Sequence, residues 1–158
     1  MISVPTYHVY PCQAVGAVRF GMMPSSVYSA LNAEPECRYR KSPSDPHEVD
    51  CYHDSTFQIF YGGDEPAVNY IELTSYGGKF VVLFRGLDVF NVGAMELIAR
   101  VGENDSFDPN DPELGFSYTF PSIEVCFWRP AVPEDDPDCE YFQVMGIGAR
   151  GYYSERVR

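Results

Sequence analysis

The sequence has few basic residues and no long apolar run. No segment approaches the roughly 20 apolar residues that a helix needs to cross a bilayer, and residues 1–12 have neither a basic start nor an apolar stretch of signal-peptide length. Eleven Lys and Arg stand against 23 Asp and Glu, a formal net charge of −12. Because phosphate contacts depend on clustered Lys and Arg, this balance argues against nucleic acid as a direct partner. We therefore expect a soluble, cytoplasmic protein that binds neither nucleic acid nor a membrane.

Recognisable catalytic and cofactor motifs are also missing. The sequence contains no Gly-x-Ser-x-Gly nucleophile elbow, and its three histidines have no recognisable partner pattern. Residues 146–151 match the letters of a dinucleotide-binding fingerprint, but too few residues follow for the helix that would bind a pyrophosphate. We interpret this run as a glycine-rich turn or bulged strand. The sequence thus predicts a protein that is not an enzyme and has no cofactor.

The five cysteines, at positions 12, 37, 51, 126 and 139, include no Cys-x-x-Cys pair. An odd, scattered set argues against a disulfide framework and suits a reducing compartment, while leaving one or two bridges open.

Aromatic and turn-forming residues are abundant, with 12 Tyr, 11 Phe, 13 Gly and 13 Pro. Aromatic side chains favour strands over helix bundles, and 158 residues suffice for one sizeable core. We predict a single domain over residues 1–158 with an α+β fold, a mainly antiparallel sheet and two short helices.

Residues 18–35 predict a strand that ends at a glycine and passes into the first helix. Pro24 suits the first helical position, and Val27 and Leu31 lie four apart on one helical face. Asn32 can adopt the left-handed cap, and Pro35 prevents continuation.

The same stretch resembles a known helix signature. Gly21-Met22, followed by Val27, Leu31, Asn32 and Pro35, is similar to the Gly-Met signature of small α+β modules of the BamE lipoprotein and β-lactamase-inhibitor-protein type. With an aromatic residue ahead of the glycine, it also resembles small bacterial immunity proteins that neutralise toxins. Met23 and Asn32 depart from the signature, which has a hydroxyl cap and a cap glycine there. The resemblance implies a small α+β fold and a toxin-inhibiting function.

Further strands are predicted from alternation and β-propensity at residues 7–20, 56–61, 68–73, 79–85, 116–120, 123–128 and 140–145, with a last strand near 152–153. Gly77-Gly78 predicts a tight hairpin. The strands on either side would then belong to three consecutive antiparallel strands, the third buried on both faces. Residues 36–55, which precede these strands, predict an exposed loop.

The strands at 116–120 and 123–128 predict a second hairpin about Pro121-Ser122, with Ile123, Val125 and Phe127 on one face.

The second helix is predicted after a cap at Asn91, with Val92, Met95, Ile98 and Val101 near helical spacing and an end at Gly102. The order of helix and strands then occurs twice, which suggests tandem halves at residues 13–86 and 87–153; one continuous sheet with two helices on one face is the alternative.

Close to half of the 23 acidic residues lie within residues 103–140, against a single basic residue, Arg129. Aromatic residues, among them Phe107 and Phe142, are interleaved with them. Carboxylates around Trp and Tyr anchors suit a surface that binds a basic protein. We therefore predict an immunity-type inhibitor of a basic toxin, with these partner-binding residues: Asp105, Asp108, Asp111, Glu113, Trp128, Glu134, Asp135, Asp136, Asp138, Glu140 and Tyr141.

Two other functions stay open at this point. His47, Cys51 and His53 are possible metal ligands for a small metal-binding protein or enzyme, although their spacing matches no standard zinc site. A structural or scaffold module that works by protein interaction is the second alternative.

Overall fold

The computed structural model describes residues 3–156, with the side chain of Asp138 left out of the description. Twelve strands and two α-helices are present in this range, and short 3₁₀ turns lie at 76–78, 121–123 and 137–140. The helices are α1 (Pro24–Leu31) and α2 (Ala94–Val101). The strands are β1 (Thr6–Tyr10), β2 (Ala14–Val15), β3 (Val18–Arg19), β4 (Cys37–Tyr39), β5 (Val49–Tyr52), β6 (Phe57–Gly62), β7 (Ala67–Thr74), β8 (Val81–Phe84), β9 (Leu87–Asp88), β10 (Ser117–Phe120), β11 (Val125–Trp128) and β12 (Val144–Gly148).

The predicted α+β class is confirmed: two short helices accompany sheets that are mostly antiparallel. None of the helices in residues 3–156 has the length and apolar character needed to cross a membrane.

Helix α1 follows its sequence signals closely. Pro24 occupies the first turn, and Asn32 ends the helix in the left-handed conformation with φ 53°. Val27 is buried, and Leu31 packs against the core. Met23 precedes the helix without a side-chain cap.

Helix α2 ends at Gly102 as predicted, but its N-cap is Gly93 and not Asn91, so the helix begins at Ala94. Its buried face is formed by Ala94, Leu97, Ile98 and Val101. Met95, which shares the predicted helical spacing with Ile98 and Val101, is 54% exposed and does not belong to this buried face.

Seven strands form the large sheet in the order β10-β11-β12-β7-β6-β5-β4, and every neighbouring pair is antiparallel. The predicted hairpin of β10 and β11 is confirmed, with Ile123, Val125 and Phe127 buried. Strand β7 lies at the centre, between β12 and β6.

The smaller sheet has the order β3-β2-β1-β8-β9 and includes one parallel pair, β1 with β8. The prediction that residues 79–85 continue a meander of three antiparallel strands is wrong. The chain leaves the large sheet after β7, and the left-handed glycines Gly77 and Gly78 form a 3₁₀ turn. Strand β8 is buried on one face only.

The two sheets are layers around one core. Phe84 of β8 lies 6.3 Å from Phe127 of β11, and Tyr7 of β1 lies 4.8 Å from Phe57 of β6, between ring centroids. The buried residues of both helices belong to this same core. The other face of the large sheet, called the open face below, carries Gln58, Glu72, Cys126 and Trp128, which are only partly buried and lie outside the core cluster.

Three further predictions need correction. Residues 36–55 are not all loop, because β4 and β5 form there and the run Val49–Tyr52 is fully buried. The strand predicted at 140–145 lies at Val144–Gly148, after a 3₁₀ turn. Residues 152–153 form turns instead of a last strand.

The order hairpin, eight-residue helix and antiparallel strands occurs twice along the chain. The final strands of the two runs, β7 and β12, pair with each other in the middle of the large sheet. This arrangement is compatible with tandem halves, and the pseudo-repeat stays a prediction.

Candidate binding surface

The candidate site lies on the open face of the large sheet. Strand partners that lie directly opposite each other share a face. One row across the sheet therefore consists of Thr119, Cys126, Gly146, Glu72, Gln58, Cys51 and Cys37. A second row passes through Ser117, Trp128, Val144 and Thr74.

A groove crosses this face over strands β7, β12, β11 and β10. Trp128, the only tryptophan in the sequence, lines it together with Tyr70 and Tyr153. The groove also contains the carboxylates of Glu72 and Glu113, and none of the described residues that line it is basic.

Gly146 makes room for the aromatic side chains of the groove. A methyl group at this position would overlap the hydroxyls of Tyr70 and Tyr153. The two hydroxyls lie 3.3 Å apart, with Tyr153 donating to Tyr70, and Tyr70 donates in turn to Glu72. Burial raises the pKa of Tyr70 and Tyr153 well above the ordinary tyrosine value, so both are neutral donors at neutral pH.

The acidic segment 103–116 runs along the outer edge of β10. The backbone N–H of Asp108 donates to the carbonyl of Thr119 at 2.8 Å, which holds the segment against the strand. Beyond it, Asp111 accepts from the Thr119 hydroxyl at 3.4 Å. Glu113 then reaches the groove beside Ser117.

The second acidic loop, residues 130–140, meets this segment at Arg129. The guanidinium is buried, with 3% exposed, and its Nε donates to the carbonyl of Gly115 at 3.0 Å. Its Nη1 donates to the carbonyl of Cys139 at 3.1 Å. One side chain thus holds both acidic loops at the end of the sheet that carries Trp128.

The predicted partner-binding residues have different environments. Asp105 forms an ion pair with Arg85 at 2.7 Å, and only 13% of its side chain is exposed. Asp108 and Asp111 accept the backbone N–H groups of Asn110 and Glu113, so they also stabilise turns.

The remaining predicted residues lie nearer the groove or in the second loop. Trp128 is half-buried in the groove. The exposed members are Glu113, Glu134, Asp135, Asp136, Glu140 and Tyr141. The side chain of Asp138 lies outside the described part of the structure.

Two aromatics near the acidic residues belong to the core or pack against it. Phe142 is fully buried, and Phe107 packs edge-on against Tyr118 with 5.2 Å between ring centroids. Trp128 and Tyr141 are therefore the aromatic residues of the predicted set that remain accessible.

The C-terminal segment 149–156, called the strap below, lies across one end of the open face. Tyr152 stacks on Tyr70 with 4.5 Å between ring centroids, and Arg156 lies over Tyr152. The strap is held by Glu124, which is 2% exposed. Its carboxylate accepts the backbone N–H groups of Gly151, Tyr153 and Ser154 and the Ser154 hydroxyl.

The possible metal ligands do not form a cluster. His53 is hydrogen-bonded to the Tyr7 hydroxyl at 2.7 Å, and His47 lies 2.6 Å from the carbonyl of Gly63. Cys51 is fully buried on β5, on the same face of the sheet as Gln58. Within residues 3–156, no three His, Cys, Asp or Glu side chains are arranged to hold a metal ion.

Comparison with known proteins adds no assignment, since no family model, curated protein or solved structure matches the chain.

Sequence reasoning missed Tyr70, Glu72 and Gly146, which come from strands far from the acidic segment in the sequence. The run of glycines at 146–151 was the available signal, because a strand glycine often marks a close approach by another group.

Proposed function

We propose that this chain is a non-catalytic binding protein that captures a basic protein partner on the groove and the adjoining acidic loops. Its most concrete form is an immunity-type inhibitor of a basic bacterial toxin. The observation that carries this proposal is the position of Glu113, which belongs to the acidic segment and also lines the groove with Trp128.

Charge complementarity favours a basic occupant. The groove has two carboxylates and no basic lining residue among those described, and the adjoining loop exposes Glu134, Asp135 and Glu140. Such a surface attracts a basic protein over long range, and steering of this kind accelerates encounter by about 10- to 1000-fold.

The half-buried aromatic residues of the groove offer apolar surface that a partner can bury, in addition to the attraction between charges. Trp and Tyr are enriched among the residues that dominate binding energy, particularly where surrounding polar groups exclude water. Trp128 has that setting, with Glu113 and Glu72 beside it in the groove. A Lys or Arg side chain of the partner would contact both a carboxylate and an aromatic face there.

Partner affinity and its salt dependence test the proposal. A partner captured at low salt from the source organism is purified, and its dissociation constant is measured between 50 and 300 mM salt. Reversal of Glu134 and Asp135 to Lys should weaken binding by about 10-fold or more at low salt and flatten the salt dependence. The matched control is reversal of Asp64 and Glu65, which are exposed in the turn between β6 and β7. Equal effects of the two reversals would contradict the proposal.

Inhibition separates an immunity protein from a scaffold module. An inhibitor should abolish the activity of its partner at equal molar ratio, and Trp128→Ala should weaken that inhibition. A partner that binds with full retention of activity would favour the scaffold alternative.

A further inference from the structure

Cys37 and Cys51 lie directly opposite each other on the two outermost strands of the large sheet. They are register partners in the antiparallel pair of β4 and β5, and both lie on the face of the sheet that carries Gln58. Opposed residues in such a ladder have Cα atoms about 4.5 or 5.5 Å apart. Both distances fall within the range of about 4.4–6.8 Å found for disulfides.

The other three cysteines have no such neighbour in the described ladders. Cys126 is opposite Thr119 and Gly146, and its thiol is hydrogen-bonded to the Ser117 and Thr119 hydroxyls. Cys139 lies in a 3₁₀ turn and Cys12 in the turn between β1 and β2. In the described ladders, Cys37 and Cys51 are therefore the two cysteines that lie directly opposite each other.

The two thiols differ in access. Cys37 is exposed, with its sulfur 3.6 Å from the Ser55 hydroxyl, whereas Cys51 is fully buried. Burial, followed by the hydrogen bond and charge interaction with Cys37, raises the pKa of Cys51 to about 11; Ser55 opposes this shift and the nearby Asp50 adds to it. An outside reagent therefore meets Cys37 first.

We propose that Cys37 and Cys51 form a thiol–disulfide exchange site, which a small disulfide such as oxidised glutathione converts into a cross-strand disulfide. The Cys37 thiolate attacks one glutathione sulfur, and the glutathione S–S bond breaks to release one glutathione thiolate. The Cys51 thiolate then attacks the Cys37 sulfur of the mixed disulfide and displaces the second glutathione. Two protein thiols are oxidised, and one glutathione disulfide is reduced to two thiols.

The disulfide would stabilise an exposed edge of the large sheet. Strand β4 is an edge strand whose three residues are all exposed. A covalent link to β5 closes the loop of residues 38–50, which restricts the unfolded chain. We expect the thermal midpoint to rise by about 5–10 °C. Closure should become about tenfold faster per pH unit near neutrality, because so little Cys51 is thiolate there.

Oxidised glutathione is the probe for the test. The folded protein is incubated with it, and intact mass, free-thiol count and peptide mapping are recorded. The expected product has lost the mass of two hydrogen atoms, contains a Cys37–Cys51 peptide and regains its original mass in dithiothreitol. Cys37→Ser should abolish this product, Cys51→Ser should stop at the glutathione adduct, and Cys12→Ser should behave as the parent protein.

Two results would overturn the inference: a stable glutathione adduct on the parent protein without closure, or a disulfide that maps to another pair. Peptide mapping of the parent protein decides between these outcomes even if a serine variant fails to fold. The result is independent of the proposed binding surface, because neither cysteine lines the groove.

Discussion

The carboxylate of Glu124 accepts the backbone N–H of Tyr153 at 2.6 Å and thereby joins two turns that are remote in the sequence. Glu124 is in the left-handed conformation, with φ 56°, immediately after the 3₁₀ turn that connects β10 to β11. The same carboxylate holds Gly151 and Ser154. The strap, and with it the tyrosines at one end of the groove, therefore depends on one buried carboxylate.

Glu124→Ala should lower the free energy of unfolding by about 2–4 kcal/mol, because several hydrogen bonds to a buried charge are lost together. Chemical denaturation measures this change. Glu134→Ala is the matched control, since that side chain is exposed, and we expect a change within about 0.5 kcal/mol. Equal losses in the two variants would show that Glu124 does not hold the strap.

The stability that Glu124 contributes should disappear in acid. Burial by itself opposes ionisation of this carboxyl, but the hydrogen bonds from Ser154, Tyr153 and Gly151 outweigh it and lower the pKa below the ordinary value of 4.5. A lowered folded-state pKa means that the contribution is present above about pH 4.5 and is lost as the pH falls through the folded-state pKa.

Comparison with Glu124→Gln measures this contribution. The stability difference between the parent protein and the variant should be constant from pH 7 to about 5 and should shrink below pH 4.5. A difference that persists unchanged to pH 3 would contradict the assignment. The comparison removes the acid response of other carboxyls, because they are common to both proteins.

Local signals in the sequence predicted the elements that have strong local preferences. Pro24 and Asn32 set the ends of α1, and the alternation of Val125 and Phe127 identified the buried face of β11. The pairing of β8 was not predictable in this way. Its apolar run suits a buried strand in either sheet, and only the path of the chain after Gly78 directs it to β1.

The candidate site was predictable in its charge and not in its geometry. The acidic residues near Trp128 are visible in the sequence, but Arg129 was seen only as an isolated basic residue. Its function follows from two backbone carbonyls, which no side-chain pattern reveals. Similarly, Glu72 joins the groove through the register of β7 with β12, a long-range pairing.

Gly146→Ala should displace Tyr153 from the groove. The position requires no left-handed backbone, so the cost arises from the overlap of the new methyl group with the Tyr70 and Tyr153 hydroxyls. We expect a loss of about 1–3 kcal/mol in unfolding free energy and a changed emission spectrum of Trp128, which lines the same groove. In Gly93→Ala the added methyl would meet no atom within 4 Å, and the loss should stay below about 1 kcal/mol.

A double-mutant cycle identifies the cause of that loss. If the methyl group acts by pushing on Tyr153, then Gly146→Ala should cost less in a Tyr153→Ala background than in the parent protein. Strictly additive losses would indicate that the Tyr153 hydroxyl is not what the methyl group meets.

Arg129→Lys should loosen both acidic loops at once. A lysine has a single ammonium group and cannot reproduce the fork that reaches the carbonyls of Gly115 and Cys139 together. Amide hydrogen exchange should therefore accelerate in residues 113–117 and in residues 134–141, with a loss of about 1–3 kcal/mol in global stability. Arg100→Lys, on the exposed side of α2, is the matched control and should leave both segments unchanged. Faster exchange in only one of the segments would show that the guanidinium does not couple them. The two acidic loops would then have to be treated as separate surfaces in any account of partner binding.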